Sequence, residues 1–168
     1  QLLLDYDHPR IGLLSIGAET GKGNALVKET YELLKQSPLN FIGNVEGRDV
    51  YRGDVDVIVC DGFVGNISLK ISEGLAEAAM QMIKKEIMRS WRAKHGYLLM
   101  RHAFACFKKQ VDYAEYGGAP LLGINGTGII CHGASNAVAI RNAIDVAANM
   151  VRNKVNEAIV QALGEYAI

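Results

Sequence analysis

Short apolar runs alternate along this chain with longer stretches in which apolar residues recur every three or four positions. The run Ile11-Gly12-Leu13-Leu14-Ser15-Ile16-Gly17 is nearly continuous and closes on glycine, the pattern of a strand buried on both faces. Residues 19–23 predict a loop. From Asn24 the positions Leu26, Val27, Tyr31, Leu33 and Leu34 follow helical spacing, with Asn24 as cap and Ser37-Pro38 as stop. A second short strand is predicted at residues 40–45. The β-branched segment Val55-Asp56-Val57-Ile58-Val59-Cys60 is the strongest strand signal, and Asp61-Gly62 opens a loop after it. The next helix is predicted to start near Asn66 and to run through Leu69, Ile71, Leu75, Ala78, Met82 and Ile83.

Residues 84–116 interrupt this rhythm, being helical in propensity throughout and rich in both bulky apolar and basic side chains. After Gly117-Gly118-Ala119-Pro120 the rhythm resumes: apolar residues 121–124, a turn at Asn125-Gly126, a strand at 128–131 and a loop at His132-Gly133. Ser135 is then expected to cap one long final helix through Ala139, Ile144, Val155 and Leu163. Strands alternating with helices predict a three-layer α/β/α fold with a mostly parallel sheet. On this reading residues 1–83 and 117–168 form the α/β portion, and residues 84–116 form a protruding, amphipathic, basic helical arm.

Composition narrows the class. The 168 residues are 49% hydrophobic, and 18 Lys and Arg balance 18 Asp and Glu, which disfavours disorder and a bulk polycation for nucleic acid. No apolar run approaches the roughly 18 residues of a membrane-spanning helix, and the first residues lack the order of a signal peptide. Cys60, Cys106 and Cys131 fit neither a disulfide framework nor a zinc pattern, so a reduced cytoplasm is the expected compartment. A start at Gln1, entering a strand almost at once, suggests part of a longer protein. The zero net charge hides an asymmetry, because residues 84–109 hold eight basic residues against Glu86 alone. Met88, Trp91, Tyr97, Leu98, Leu99, Met100, Phe104 and Phe107 are interleaved with them. That pattern suits an anionic membrane surface, an acidic protein, or burial in a homodimer.

In an open α/β sheet, ligands bind beyond the carboxyl ends of the strands. Four segments qualify. Asp61-Gly62-Phe63-Val64-Gly65-Asn66 joins a strand-end acid, two glycines and an amide at a predicted helix start, with Lys70 one turn later on the same face. Backbone N–H groups, the helix dipole and a lysine together suit phosphate or another anion. The alternative is that Asn66 caps the helix, Asp61 closes a turn, and Lys70 pairs with Glu73 or Glu77. At His132-Gly133-Ala134-Ser135-Asn136, the His and Ser either converge on a ligand or serve as a structural histidine and a cap; no G-x-S-x-G elbow surrounds Ser135. Gly43 to Asp49 supplies Asn44, Glu46 and Arg48, the last either an anion contact or half of a surface ion pair. The loop Gly17-Ala18-Glu19-Thr20-Gly21-Lys22-Gly23 fails the phosphate-loop spacing, since Gly23 follows Lys22. There is no dinucleotide fingerprint and no metal-ligand spacing of Cys and His, so no cofactor is expected.

Taken in order, Pro9 to Leu14 with Ile16-Gly17, Lys22-Gly23-Asn24, Phe41 to Asp49, Val59 to Phe63 with Gly65-Asn66, Lys70, Ser72-Glu73-Gly74, Tyr116 to Gly123, and His132-Gly133 before Ala139 to Ile144 form a dense series. The series resembles the PlsX-type phosphate acyltransferases of bacterial phospholipid synthesis. The resemblance implies an isocitrate dehydrogenase-like fold and transfer of a fatty acyl group from acyl carrier protein to inorganic phosphate. It also implies a homodimer in peripheral contact with an anionic membrane, and a chain about twice this length of which this is the carboxyl-terminal half. Phosphate attack on a thioester needs an anion cradle, a stabilised oxyanion and a tolerated leaving thiolate. Lys70 and the Gly65 and Asn66 amides are therefore expected to meet phosphate and oxyanion charge, with Gly62 beside them. Asp61 is expected to orient Lys70 or assist proton movement, and His132 to act as acid for the thiolate. Asn44, Arg48 and Ser135 are expected to line the cleft, and Trp91, Leu98, Leu99 and Phe104 to meet membrane or partner. Two rival functions remain at this level: a short-chain phosphate acetyl- or butyryltransferase using acyl-CoA, and a non-catalytic membrane-docking and dimerisation fragment.

Overall fold

The computed structural model describes residues 6–111 and 113–166. It divides into two compact units that meet within one helix, between Met80 and Gln81. The first holds β1 (Ile11–Leu14), α1 (Ala25–Gln36), β2 (Phe41–Val45), a 3-10 turn at Asp49–Tyr51, β3 (Val57–Val59) and the start of α2 (Gly62–Arg89). The second holds the end of α2, α3 (Trp91–Val111), α4 (Tyr113–Tyr116), β4 (Ala119–Leu121), β5 (Gly128–Ile130), α5 (Ala137–Arg152) and α6 (Val155–Tyr166). The architecture is α/β, with a parallel three-stranded sheet flanked by helices, as expected of the three-layer class.

In the first unit β1 lies between β2 and β3 and is parallel to both, with Leu13 opposite Asn44 and Val59. A central strand has no solvated face, which is why it is an unbroken apolar run; Ile11, Leu13 and Val45 are buried. At its amino end Arg10 locks the register. The guanidinium grips Asp56 through Nε to Oδ2 at 2.9 Å and Nη2 to Oδ1 at 3.0 Å, while the Arg10 N–H donates to Asp56 Oδ2 at 2.7 Å. The Arg10 carbonyl accepts from Asp56 and Val57, so side chain and backbone fasten β1 to β3 together. The helix α1 starts and stops as its sequence predicts: Asn24 Oδ1 accepts the Val27 N–H at 2.9 Å, and Ser37 closes the last turn on the Leu34 carbonyl.

In the second unit Ala139, Ala143 and Met150 repeat on one face of α5 and are buried with Ala114 and Val155. Asn142 ties this face to α4 by donating to the Ala114 and Glu115 carbonyls.

Four expectations are corrected. The helix α2 begins at Gly62, four residues before Asn66, because Asp61 supplies the cap. Asn136, not Ser135, caps α5: its Oδ1 accepts the Ala139 N–H at 3.0 Å. The single final helix is two, broken where Lys154 takes a left-handed conformation (φ 51°) while its N–H caps the Val151 carbonyl. The apolar residues around Pro120 form an antiparallel hairpin, β4 against β5, in place of another parallel strand. As for residues 84–116, α2 passes through position 84 unbroken, and the helical interruption falls at Ser90.

The grip of Arg10 holds the Asp56 carboxyl down at about 2 from its ordinary 3.8, chiefly through the side-chain hydrogen bond. A depressed acid stabilises the fold above its ordinary pKa, and that contribution disappears as pH falls through the folded value. Wild type is therefore expected to lose denaturant resistance between about pH 4 and pH 2 more steeply than Asp56→Asn, with the gap between them closing toward pH 2. Denaturation midpoints across that range measure it.

Candidate active site

Because β1, β2 and β3 are parallel, their carboxyl ends open on one edge of the sheet, and three loops gather there. Asn44, at the end of β2, is buried at 8% exposure and donates through Nδ2 to the Glu19 carbonyl at 3.1 Å, pinning the loop after β1. Among the described residues its Oδ1 has no partner, and neither has the buried Ser15 Oγ at the end of β1. A buried polar atom left unpaired costs about 1–3 kcal/mol, so two at one sheet edge mark a place built for a ligand or water. The loop can pass this close only through Gly23. Its φ of +99° favours glycine, and a Cβ there would stand 2.6 Å from Val27 Cγ1 and 3.0 Å from Ser15 Oγ.

The third loop is short. Asp61 Oδ1 accepts the N–H groups of Phe63 at 2.9 Å and Val64 at 3.0 Å, and the Asp61 carbonyl accepts Gly65 N–H at 2.9 Å. The carboxylate thus takes the positive end of the α2 dipole for itself. The Gly65 amide is committed to this turn, and Asn66, the fifth residue of α2, has its N–H in the helical ladder. This corrects the expectation that the Gly65 and Asn66 amides are free for an anion; what α2 offers from Asn66 is the side chain. Lys70 lies one turn beyond on the same face, exposed, and among the described residues it forms no ion pair with Asp61, Glu73 or Glu77. Side chains four residues apart on a helix lie on one face, so Lys70 and Asn66 share a face of α2. Gly65 admits no side chain, since a Cβ would approach Cys60 Sγ to 2.9 Å. Partial burial, with a smaller contribution from Asp61, pushes the Cys60 thiol up, which disfavours a thiolate nucleophile there.

Arg48 is engaged by Glu46, Nε to Oε2 at 3.1 Å and Nη2 to Oε1 at 3.2 Å, on an exposed surface. The ion-pair alternative is the one the structure adopts. An exposed pair of this kind is worth about 0–1 kcal/mol, weak enough for an arriving anion to exchange.

His132 and Ser135 belong to the second unit. His132 Nδ1 accepts the Ala134 N–H at 3.1 Å and the His132 carbonyl accepts the Ser135 N–H at 2.9 Å, a tight turn that opens α5. A backbone N–H can only donate, so Nδ1 is the acceptor and Nε2 carries the ring proton. Ser135 Oγ is buried without a partner among the described residues. In α3, Trp91, Leu98 and Leu99 are exposed, Leu99 at 88%, whereas Phe104 is half-buried with its ring 5.2 Å from that of Tyr97. Arg92 lies 5.5 Å from the Trp91 ring centre. No helix among the described residues is long and apolar enough to cross a membrane.

Sequence reasoning missed Ser15 and Cys60. Ser15 is the sole hydroxyl in an apolar strand run, which was the available signal; Cys60 gave none beyond its place at a strand end.

A parallel sheet whose carboxyl edge collects buried polar groups, with an exposed lysine on the adjoining helix, defines an α/β protein with a candidate ligand site at that edge. The chain belongs to the phosphate acyltransferase family of fatty acid and phospholipid synthesis: the family model described as "Fatty acid synthesis protein" matches residues 1–158. Proteins named "Phosphate acyltransferase" are similar to it almost end to end. That of Syntrophotalea carbinolica is 59% identical over 164 residues, 98% of this chain and 47% of its own length. That of Nitratidesulfovibrio vulgaris strain DP4 is 58% identical over 162 residues, 96% and 47%. That of Geotalea uraniireducens is 58% identical over 165 residues, 98% and 48%. The chain spans about half the length of these curated relatives.

Replacing Asp61 separates its charge from its cap. Asp61→Ala is expected to cost about 1 kcal/mol in unfolding free energy, and Asp61→Asn, which keeps an acceptor for Phe63 and Val64, only a few tenths. Denaturant titration of both variants checks it.

Proposed function

We propose that this chain carries part of an enzyme that transfers a fatty acyl group from acyl carrier protein to inorganic phosphate. The observation that carries the reading is the 57–59% identity to proteins named phosphate acyltransferase over nearly the whole chain. The local chemistry agrees with it. A phosphate oxygen attacks the thioester carbonyl carbon, the C–S bond breaks, and the products are an acyl phosphate and the carrier thiol, which regains a proton as it leaves. Phosphate is already ionised near neutrality, so charge stabilisation matters more than a general base.

Lys70 and the Asn66 side chain hold phosphate and the oxyanion in this reading. Asp61 is a positioning residue, since by capping α2 it sets the orientation from which Asn66 and Lys70 project. Gly62, Gly65, Asn44 and Arg48 line the cleft. Arg48 reaches an anion by exchanging its bond to Glu46. Lys70→Ala in the full polypeptide that carries this sequence is expected to lower acyl-phosphate formation at least tenfold with folding unchanged. Full activity would remove Lys70 from this role.

Residues 84–116 favour a long-chain, membrane-delivered substrate over soluble short acyl-CoA. Exposed Leu98 and Leu99 stand on a helix dense in Lys and Arg, a combination suited to an anionic bilayer, where each cation contributes about 1 kcal/mol. Trp91 and Phe104 share this arm, and the enzyme is read as a cytoplasmic homodimer touching the membrane peripherally. Co-sedimentation with vesicles containing anionic lipid is expected, and Leu98→Glu with Leu99→Glu is expected to weaken it at least fivefold. Binding unaffected by that pair would assign the arm to a protein partner.

A further inference from the structure

The helix α3 carries two histidines that the phosphate chemistry leaves unused. Trp91, His95, Leu98, His102 and Cys106 follow one another at three or four residues, so they form one stripe of the helix, and all five are exposed. Ala93, Gly96 and Phe104 lie on the opposite side and are half-buried, so the stripe is the outward face. No acid stands on α3. Its cations are Arg92, Lys94, Arg101, Lys108 and Lys109, and the described acids on either side are engaged: Glu86 of α2 by Arg89 at 3.0 Å, and Glu115 of α4 by Lys109 at 3.6 Å. Among the described residues no carboxylate forms an ion pair with His95 or His102.

Each imidazole can take a second proton without losing a bond. His95 Nδ1 stands 2.8 Å from the Trp91 carbonyl, which can only accept, so Nδ1 holds the proton and Nε2 is open to another. His102 Nε2 stands 3.6 Å from Cys106 Sγ, a weak acceptor toward an imidazolium. Histidine is the side chain whose charge ordinarily changes between pH 8 and pH 5, and a nearby anion favours the charged form.

We infer that His95 and His102 make the contact of α3 with an anionic lipid surface pH-sensitive, tightening it as pH falls. The inference rests on the membrane reading of residues 84–116 and adds its regulation. Linkage gives the sign: a surface that attracts the imidazolium raises its affinity for the proton, and a proton on the stripe raises the affinity for the surface by the same factor. Two charges at about 1 kcal/mol each amount to about thirtyfold in binding once both imidazoles are charged. Lysine and arginine side chains ordinarily keep their charge throughout this range, so the change on α3 falls to the two histidines.

Co-sedimentation of the full polypeptide that carries this sequence with vesicles of phosphatidylglycerol and phosphatidylcholine, at pH 7.5 and pH 5.5, tests the assignment. The partition coefficient of wild type is expected to rise at least tenfold at the lower pH, and to stay level on vesicles of phosphatidylcholine alone. His95→Gln with His102→Gln is expected to hold the rise below threefold. His95→Arg with His102→Arg is expected to bind at pH 7.5 as tightly as wild type does at pH 5.5. Both positions are exposed, so neither pair is expected to disturb folding. Wild-type binding that does not change with pH, a rise that survives the glutamine pair, or an arginine pair no tighter than wild type at pH 7.5 overturns the inference and leaves the membrane reading standing. Absence of binding at both pH values overturns both.

Discussion

The parallel register of β1 between β2 and β3 is the constraint on which the first unit depends. Arg10 sets it at one end by holding Asp56 with side chain and backbone at once, and the buried Leu13 and Val45 hold it along the strands. A slip of one residue would turn Leu13 out of the core and Ser15 to the opposite face. With the register held, Ser15, Asn44 and Asp61 all arrive at the carboxyl edge, although they are separated by long stretches of chain. Asn44 then secures the loop after β1 through the Glu19 carbonyl, so the edge is organised by the same strands that form the core.

The start of α2 carries the second decision. A helix amino end attracts anions, and here an aspartate of the chain itself supplies the negative charge. The helix end is thus satisfied by the chain itself, and beyond it α2 exposes the side chains of Asn66 and of Lys70, a lysine uncommitted among the described residues. Partial burial raises the Cys60 thiol, which disfavours a thiolate at this edge. Along α2 no residue is buried, and Leu69, Ile71 and Leu75 are each more than 60% exposed. That degree of apolar exposure is unusual for a helix of 28 residues in a finished surface, in keeping with a chain that spans about half of its relatives.

Much of the fold was legible because local chemistry decides it. Asn24 and Ser37 bound α1 as read, since a cap is a contact among residues three apart. The β-branched run before Asp61 formed β3 for the same kind of local reason. The errors share a cause. Asp61 and Asn66, like Ser135 and Asn136, are neighbouring residues that can each cap a helix, and the backbone path entering the helix chooses between them. The antiparallel β4–β5 hairpin and the left-handed Lys154 are likewise set by which element each segment packs against.

By itself the sequence determined the element types, the sheet class, the basic character of residues 84–109, and the series of motifs that places the chain in its family, because propensity, charge and motif order are properties of neighbours. Tertiary structure alone decided that Asp61 occupies its own helix end, that Arg48 is held by Glu46, and that Ser15 Oγ and Asn44 Oδ1 are buried with no hydrogen-bond partner among the described residues. Pairing and burial depend on which distant residues the strand register brings together, and spacing along the chain does not encode those distances.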